Sequence, residues 1–174
     1  MAITYAQNVG LVKTPPRIEI NGKFYRTVKI GSLIWTADVL DDDNITHGTD
    51  SRGLKTYTSY NISSAISNNT LVLPAGWRMP SNNDIGALFS YSPLVGLLAT
   101  GDSWNNLGTN TSTMSITPSE NVSGHSGKYF IGLRDSSSTG YKEINLSGTT
   151  LYVENKAGDS RSWSLTARFC RNAD

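Results

Sequence analysis

Two adjacent residues, Asn21 and Gly22, constrain this chain more than any others. A two-residue hairpin loop needs positive φ at both central positions, and Asn-Gly supplies it at low steric cost. Segments 17–20 and 23–30 flank the pair. Within the second, Phe24, Val28 and Ile30 fall on one side of a period-2 pattern and Tyr25, Thr27 and Lys29 on the other. Gly31-Ser32 then turns the chain into residues 33–36, so a three-stranded meander is predicted near the start.

The rest of the chain matches such a beginning. Of 174 residues, 22 are Ser, 18 Thr, 15 Asn and 16 Gly. These are poor helix formers and good turn formers, which favours strands and long ordered loops. Two short helices are predicted. One lies within residues 57–66, where Ile62, Ala65 and Ile66 recur at helical spacing. The other follows Ser81, which with Asp84 makes a capping box carrying Asp where Glu is usual, ahead of the stripe Ile85, Leu88 and Phe89. Residues 100–127 show no sustained period. The end is β again, at 128–134, 141–146, 149–154 across Ser147-Gly148, and 163–171. Residues 1–16 read as an arm without period, ending in Pro15-Pro16 and carrying Ile3, Tyr5, Val9, Leu11 and Val12. One domain over residues 17–174 and an N-terminal arm over 1–16 are expected.

Charge and cysteine content exclude several functions. A net charge of +1 carries no electrostatic footprint for nucleic acid or anionic membrane. The longest apolar run, residues 94–99, is far short of the roughly 20 residues a membrane span requires. Residues 1–13 lack the basic start and apolar stretch of a signal peptide. One cysteine, Cys170, allows neither an internal disulfide framework nor a cysteine-based zinc site, and a buried, inert thiol is expected there. The six Asn-x-Ser/Thr sequons follow from composition.

Motifs for catalysis are missing: the sequence has neither a Walker loop nor a Gly-x-Ser-x-Gly elbow. His47 and His125 share no metal spacing, and adjacent His125 and Ser126 do not face one another in an extended segment. Asp41, Asp42, Asp43, Asn44 and Asp50 form an oxygen-rich loop, with Ile45 and Thr46 where a calcium hand would place ligands. A solvated acidic loop is the reading taken, with an ion site as its alternative. No catalytic residue, metal or cofactor is expected. Trp35 and Trp77 sit among apolar residues and are assigned to the core. Trp104 stands beside Asn105 and Asn106. A ring next to amides suits a sugar or peptide site, and equally suits a loop pinned to the core. The same two readings apply to Trp163.

Five segments carry a family resemblance: Val28-Lys-Ile-Gly31 running into Trp35-Thr-Ala-Asp-Val-Leu40; Gly53-Leu-Lys-Thr-Tyr57; Pro74-Ala-Gly-Trp-Arg-Met-Pro-Ser81; the stretch from Leu97 to Trp104; and Ala167-Arg-Phe-Cys-Arg171. In this order the chain resembles the Fibrobacter succinogenes major paralogous domain, itself similar to the C-type lectin-like fold. The resemblance, spread over residues 24–174, implies an α+β domain: a twisted antiparallel sheet, two short helices, long irregular loops, and first and last strands lying together. Leu73 stands where the family commonly has Cys, and one cysteine cannot supply the pair used by the related formylglycine-generating enzymes.

The resemblance implies a non-enzymatic bacteriophage virion protein, a fibre or capsid-decorating protein with a lectin-like domain for host attachment. The arm would dock on other virion proteins, with a homotrimer expected and no nucleic acid or membrane partner. The alternative is a bacterial surface lipoprotein or adhesin domain whose leader has been removed. Contact with a host-surface glycan or protein is assigned to Trp104, Asn105, Asn106, Arg134, Asp135, Tyr141 and Trp163, which lie on the long loop and near the C-terminal strands.

Overall fold

The computed structural model describes residues 16–50, 53–90, 140–147, 150–157 and 166–173, together with 110, 112, 114 and 116. The predicted meander is present: β1 (Arg17–Ile20), β2 (Lys23–Ile30) and β3 (Leu33–Thr36) pair antiparallel in sequence order. Asn21 and Gly22 have φ of 49° and 78°, the positive pair a type I′ turn requires. Gly31, at φ 60°, opens the second turn.

Next come the two-residue strands β4 (Gly48–Thr49) and β5 (Lys55–Thr56), then α1 (Ser59–Ser67) and α2 (Asn82–Phe89). Both helices start on a side-chain cap. The Thr58 hydroxyl accepts from Asn61 N at 3.1 Å. At Ser81 the full capping box forms: Asp84 N donates to Ser81 Oγ at 3.2 Å and Ser81 N donates to Asp84 Oδ2 at 2.8 Å. The hairpin of β6 (Gly140–Ser147) and β7 (Thr150–Ala157) extends slightly beyond the predicted strands.

The last strand, β8 (Cys170–Asn172), pairs with β3, giving the sheet order β1-β2-β3-β8. The two ends of the predicted domain therefore share one antiparallel sheet, with β3 between β2 and β8. Of the expected strand over 163–171, residues 163–165 lie outside the described residues and the remainder is corrected. Residues 166–169 run beside the chain after β3 without forming a ladder. Phe169 O accepts from Thr36 N and Ala167 O from Leu40 N, while Phe169 N donates to the Thr36 hydroxyl. Their hydrogen bonds are thus satisfied, partly by a side chain, and strand geometry begins only at Cys170. Beyond β8 the sheet gains one bridge, with Arg78 and Cys170 exchanging backbone hydrogen bonds of 2.9 and 3.0 Å. The expected strand at 128–134 lies outside the described residues.

Cross-strand partners point to the same side of a sheet, so the register sorts the core. Ile18, Ile20, Tyr25 and Ile34 project to one face. There they pack with Leu40, Ile45, Tyr57, Ile62, Ala65, Leu71, Trp77, Met79, Ala167 and Phe169. Ile30, Leu33, Trp35 and Cys170 project to the other and are also buried. The charge of Asp84, in the first turn of α2, acts on the Cys170 thiol, which places that helix start on this second face. The described architecture is α+β, and Trp35 and Trp77 are core residues, as expected.

Candidate functional site

Of the residues assigned to binding, Trp104, Asn105, Asn106, Arg134, Asp135 and Trp163 lie outside the described residues. Tyr141 stands in β6 opposite Lys156. Of the arm, residues 1–16, all but Pro16 lie outside as well; Pro16 offers its carbonyl to Thr27 N at 2.7 Å.

What the described residues do assemble is the loop after β3, and it is less solvated than expected. Asp42 and Asp50 are buried. Asp42 takes Asn21 Nδ2 at 2.7 Å and Asn44 N at 2.8 Å, while its own N donates to the Tyr57 hydroxyl at 2.9 Å. Asp50 Oδ1 takes Leu54 N at 2.9 Å and closes the β4–β5 turn. Short Asp side chains bond readily to backbone N–H groups nearby, so this loop buries two carboxylates as structural acceptors. Among the described residues no group of three or more His, Cys, Asp and Glu is placed to hold a metal.

Asp41 and Asp43 remain exposed and form a ring of alternating charge with Lys23 and Lys55. Lys55 Nζ bonds Asp41 Oδ1 and lies 2.7 Å from Asp43 Oδ1; Lys23 Nζ lies 3.0 Å from Asp41 Oδ2 and 3.8 Å from Asp43 Oδ2. Hydrogen bonds from Lys55, then Lys23, hold the Asp41 carboxyl below the usual range, and Lys55 does the same for Asp43. The same two carboxylates raise Lys55. Beside the ring, Arg26 and Asp38 interlock. Asp38 Oδ2 accepts from Arg26 N at 2.7 Å, and Oδ1 accepts Nε at 2.9 Å and Nη2 at 2.5 Å. Burial works against the Asp38 charge, but the hydrogen bonds from Arg26 and the charges of Arg26 and Arg168 outweigh it, and the carboxyl is lowered.

These groups surround a cleft of about 450 Å³. Arg26, Asp38, Asp41, Lys55 and Arg168 supply its polar lining, and Ala37, Val39, Leu40 and Leu54 its aliphatic walls. Arg168 is buried, with Nε and Nη2 donating to Ala37 O at 3.3 and 3.2 Å. A second cleft, of about 640 Å³, lies between α1 and the segment before α2, and has an apolar floor of Ile66, Leu71, Leu73, Trp77 and Met79. Asn21 braces one rim: Nδ2 donates to Thr70 O and Oδ1 accepts from Val72 N.

No family model, curated protein or solved structure matches this chain. Function is therefore argued from geometry. The charged cleft was not among the predicted site residues, because its cations come from β2, β5 and the segment before β8. No local spacing joins Arg26, Lys55 and Arg168. Asp38 and Lys55 do fall inside segments that carried the resemblance, which gave them no role. Cys170 is buried, and burial, followed by the charge of Asp84, pushes its thiol up to about 12. A thiol held protonated at neutral pH is a poor nucleophile. No helix among the described residues is long and apolar enough to cross a membrane.

Proposed function

We propose that the chain is a non-enzymatic virion structural protein, a phage fibre or capsid-decorating protein, with a C-type lectin-like domain that attaches to the host surface. The observation that carries this reading is β8 lying beside β3, in the sheet that begins at β1. A domain closed on itself by its two ends leaves the long chain between α2 and β8 to vary without disturbing the sheet, and loops on a rigid scaffold are where binding functions concentrate. Trp104, Asn105, Asn106, Arg134, Asp135, Tyr141 and Trp163 belong to that intervening chain and form the proposed contact surface. The neutral, inert Cys170 supports a role without covalent catalysis.

The arm docks on other virion proteins and assembles a homotrimer. Deleting residues 1–15 keeps Pro16, whose carbonyl serves β2, so the domain should stay folded while its mass by light scattering falls to that of one chain. An unchanged mass refutes assembly through the arm. Purified full-length chain should bind host cells and reduce adsorption of the particles that carry it. Chain that is absent from purified particles, or that leaves adsorption unchanged, overturns the attachment reading.

A further inference from the structure

We infer that the cleft between β2, β5 and the segment before β8 binds a neutral saccharide. The inference deepens the attachment reading by naming a ligand class and a site separate from the Trp104 surface.

Arg26, Lys55 and Arg168 line the cleft with Asp38 and Asp41, and Asp43 and Lys23 complete the ring at Lys55. Across these seven groups the cations number four and the carboxylates three; the buried carboxylate of Asp42, next in the chain, brings the count level. An entering anion would compete with carboxylates already seated on Arg26, Lys23 and Lys55. An entering cation would face guanidinium and ammonium groups. A neutral ligand breaks no pair.

Hydrogen-bond capacity then selects among neutral ligands. A carboxylate offers about four lone-pair sites. Asp38 Oδ2 is engaged once, by Arg26 N, and Asp41 has one ammonium on each oxygen. Each can therefore accept further hydrogen bonds. Arg26 Nη1 makes none among the described residues, and the Arg26 side chain is 42% exposed. Acceptors and a donor thus stand on one rim, fixed in place by ion pairs and already partly desolvated. Vicinal hydroxyls, which donate and accept from adjacent atoms, match such a rim. The C–H face of a pyranose matches walls of Val39 and Leu54, which are partly exposed. A cleft of about 450 Å³ falls in the size range of small-ligand sites.

The test is a titration of the ¹⁵N-labelled full chain with the methyl glycosides of glucose, galactose, mannose and N-acetylglucosamine, and with glucuronate, followed by amide shifts. At least one neutral glycoside should shift Arg26, Asp38, Val39, Leu54 and Lys55 saturably, and should bind more tightly than glucuronate. Arg26→Gln should weaken that binding about tenfold, the loss of one charge-assisted hydrogen bond. If that variant does not fold, Lys55→Gln, which removes the cation bonded to Asp41, serves in its place, and the wild-type shift map stands alone. Absence of shifts in the cleft, shifts confined to other amides, or tighter binding of glucuronate each overturn the inference. Host-cell binding separates this outcome from the attachment reading. Cells bound equally by wild type and Arg26→Gln, with no shifts in the cleft, leave attachment standing and remove the cleft. Cleft shifts without cell binding do the reverse.

Discussion

The two faces of the four-stranded sheet are closed by different means. On one face the cluster from Ile20 to Phe169 carries polar atoms into the core, and each is satisfied. The Tyr57 hydroxyl takes Asp42 N and lies 3.3 Å from Asp42 O, and the Tyr25 hydroxyl takes Asp41 N at 3.2 Å. On the other face, Trp35 is fully buried and its indole N–H has no hydrogen-bond partner among the described residues. Cys170 adds a thiol raised by burial. A buried donor left unpaired costs about 1–3 kcal/mol, so that face is held by packing in spite of its polar atoms. The first face instead uses its tyrosines to fix the loop that bears Asp38, Asp41 and Asp43. The charged cleft is thus built beside a loop that the core holds by hydrogen bonds, and Arg26, next to Tyr25 in β2, reaches it from the opposite side of that strand.

The largest effects should come from emptying either face. Trp35→Ala and Phe169→Ala, each removing a large side chain with almost no exposure, should each cost about 3–5 kcal/mol. Both faces share β3, so each variant should unfold in one transition by circular dichroism and tryptophan fluorescence alike. Two separate transitions would mean that the faces are independent units, and the comparison would break.

Tyr57→Phe should cost about 1–3 kcal/mol, because Asp42 N loses its acceptor inside the core. The variant should also change alkaline stability. Burial pushes the Tyr57 hydroxyl up to about 12 from an ordinary value near 10. Its contribution is complete below about pH 10 and is lost as pH rises toward the folded value. Wild type should therefore lose more stability than Tyr57→Phe between about pH 10 and 12. Parallel pH curves would show that the hydroxyl is not held as described.

Much of the first face was legible in sequence. Asn21-Gly22 and Gly31-Ser32 state their turns through local chemistry, and on the second face Ser81 states the start of α2 in the same way. Non-local relations were not legible. Asn21 was chosen as a turn residue, yet its side chain also holds Thr70, Val72 and Asp42. Apolar and β-branched residues at 166–169 read as strand, but the Thr36 hydroxyl captures Phe169 N and ladder pairing waits until Cys170. The run of aspartates read as solvated because a pattern of like charges discloses neither the amide donors that hold Asp42 and Asp50 inside nor the cations beside Asp41 and Asp43. Lys23 and Lys55 reach it from β2 and β5, which only the folded chain brings together.

On the second face the test is Asp84. Its carboxylate caps α2, pairs with Arg78 Nη2 at 2.9 Å, and has a side chain only 11% exposed. Asp84→Ala should cost about 0.5–2 kcal/mol. Burial opposes the Asp84 charge, but bonds from Ser81 and the charge of Arg78 leave its carboxyl lowered. A lowered carboxyl stabilises fully above its unfolded value, about pH 3.9, and the contribution fades as pH falls through the folded value. Wild type should therefore begin to approach Asp84→Ala as pH falls below about 4, and should meet it only below the folded value. A gap that persists there would assign the loss to packing around Cys170.

The smallest effect should come from the charged ring, although it has the most ion pairs. Lys55→Gln removes the cation shared by Asp41 and Asp43; the Lys55 side chain is only 14% exposed, but the two carboxylates it would leave behind are 59% and 75% exposed. Water already stabilises both carboxylates, and holding long side chains in one geometry costs entropy, so exposed pairs contribute little. The melting temperature should fall by at most about 2 °C. The fall should shrink further in about 1 M salt, where the Debye length is near 3 Å. Arg78→Gln makes the matched comparison on the second face. It leaves the little-exposed Asp84 carboxylate without its guanidinium, and should lower the melting temperature more than Lys55→Gln in the same buffer. The reverse order would place the stabilising electrostatics in the loop, and the ring would then hold the fold together as well as shape the cleft.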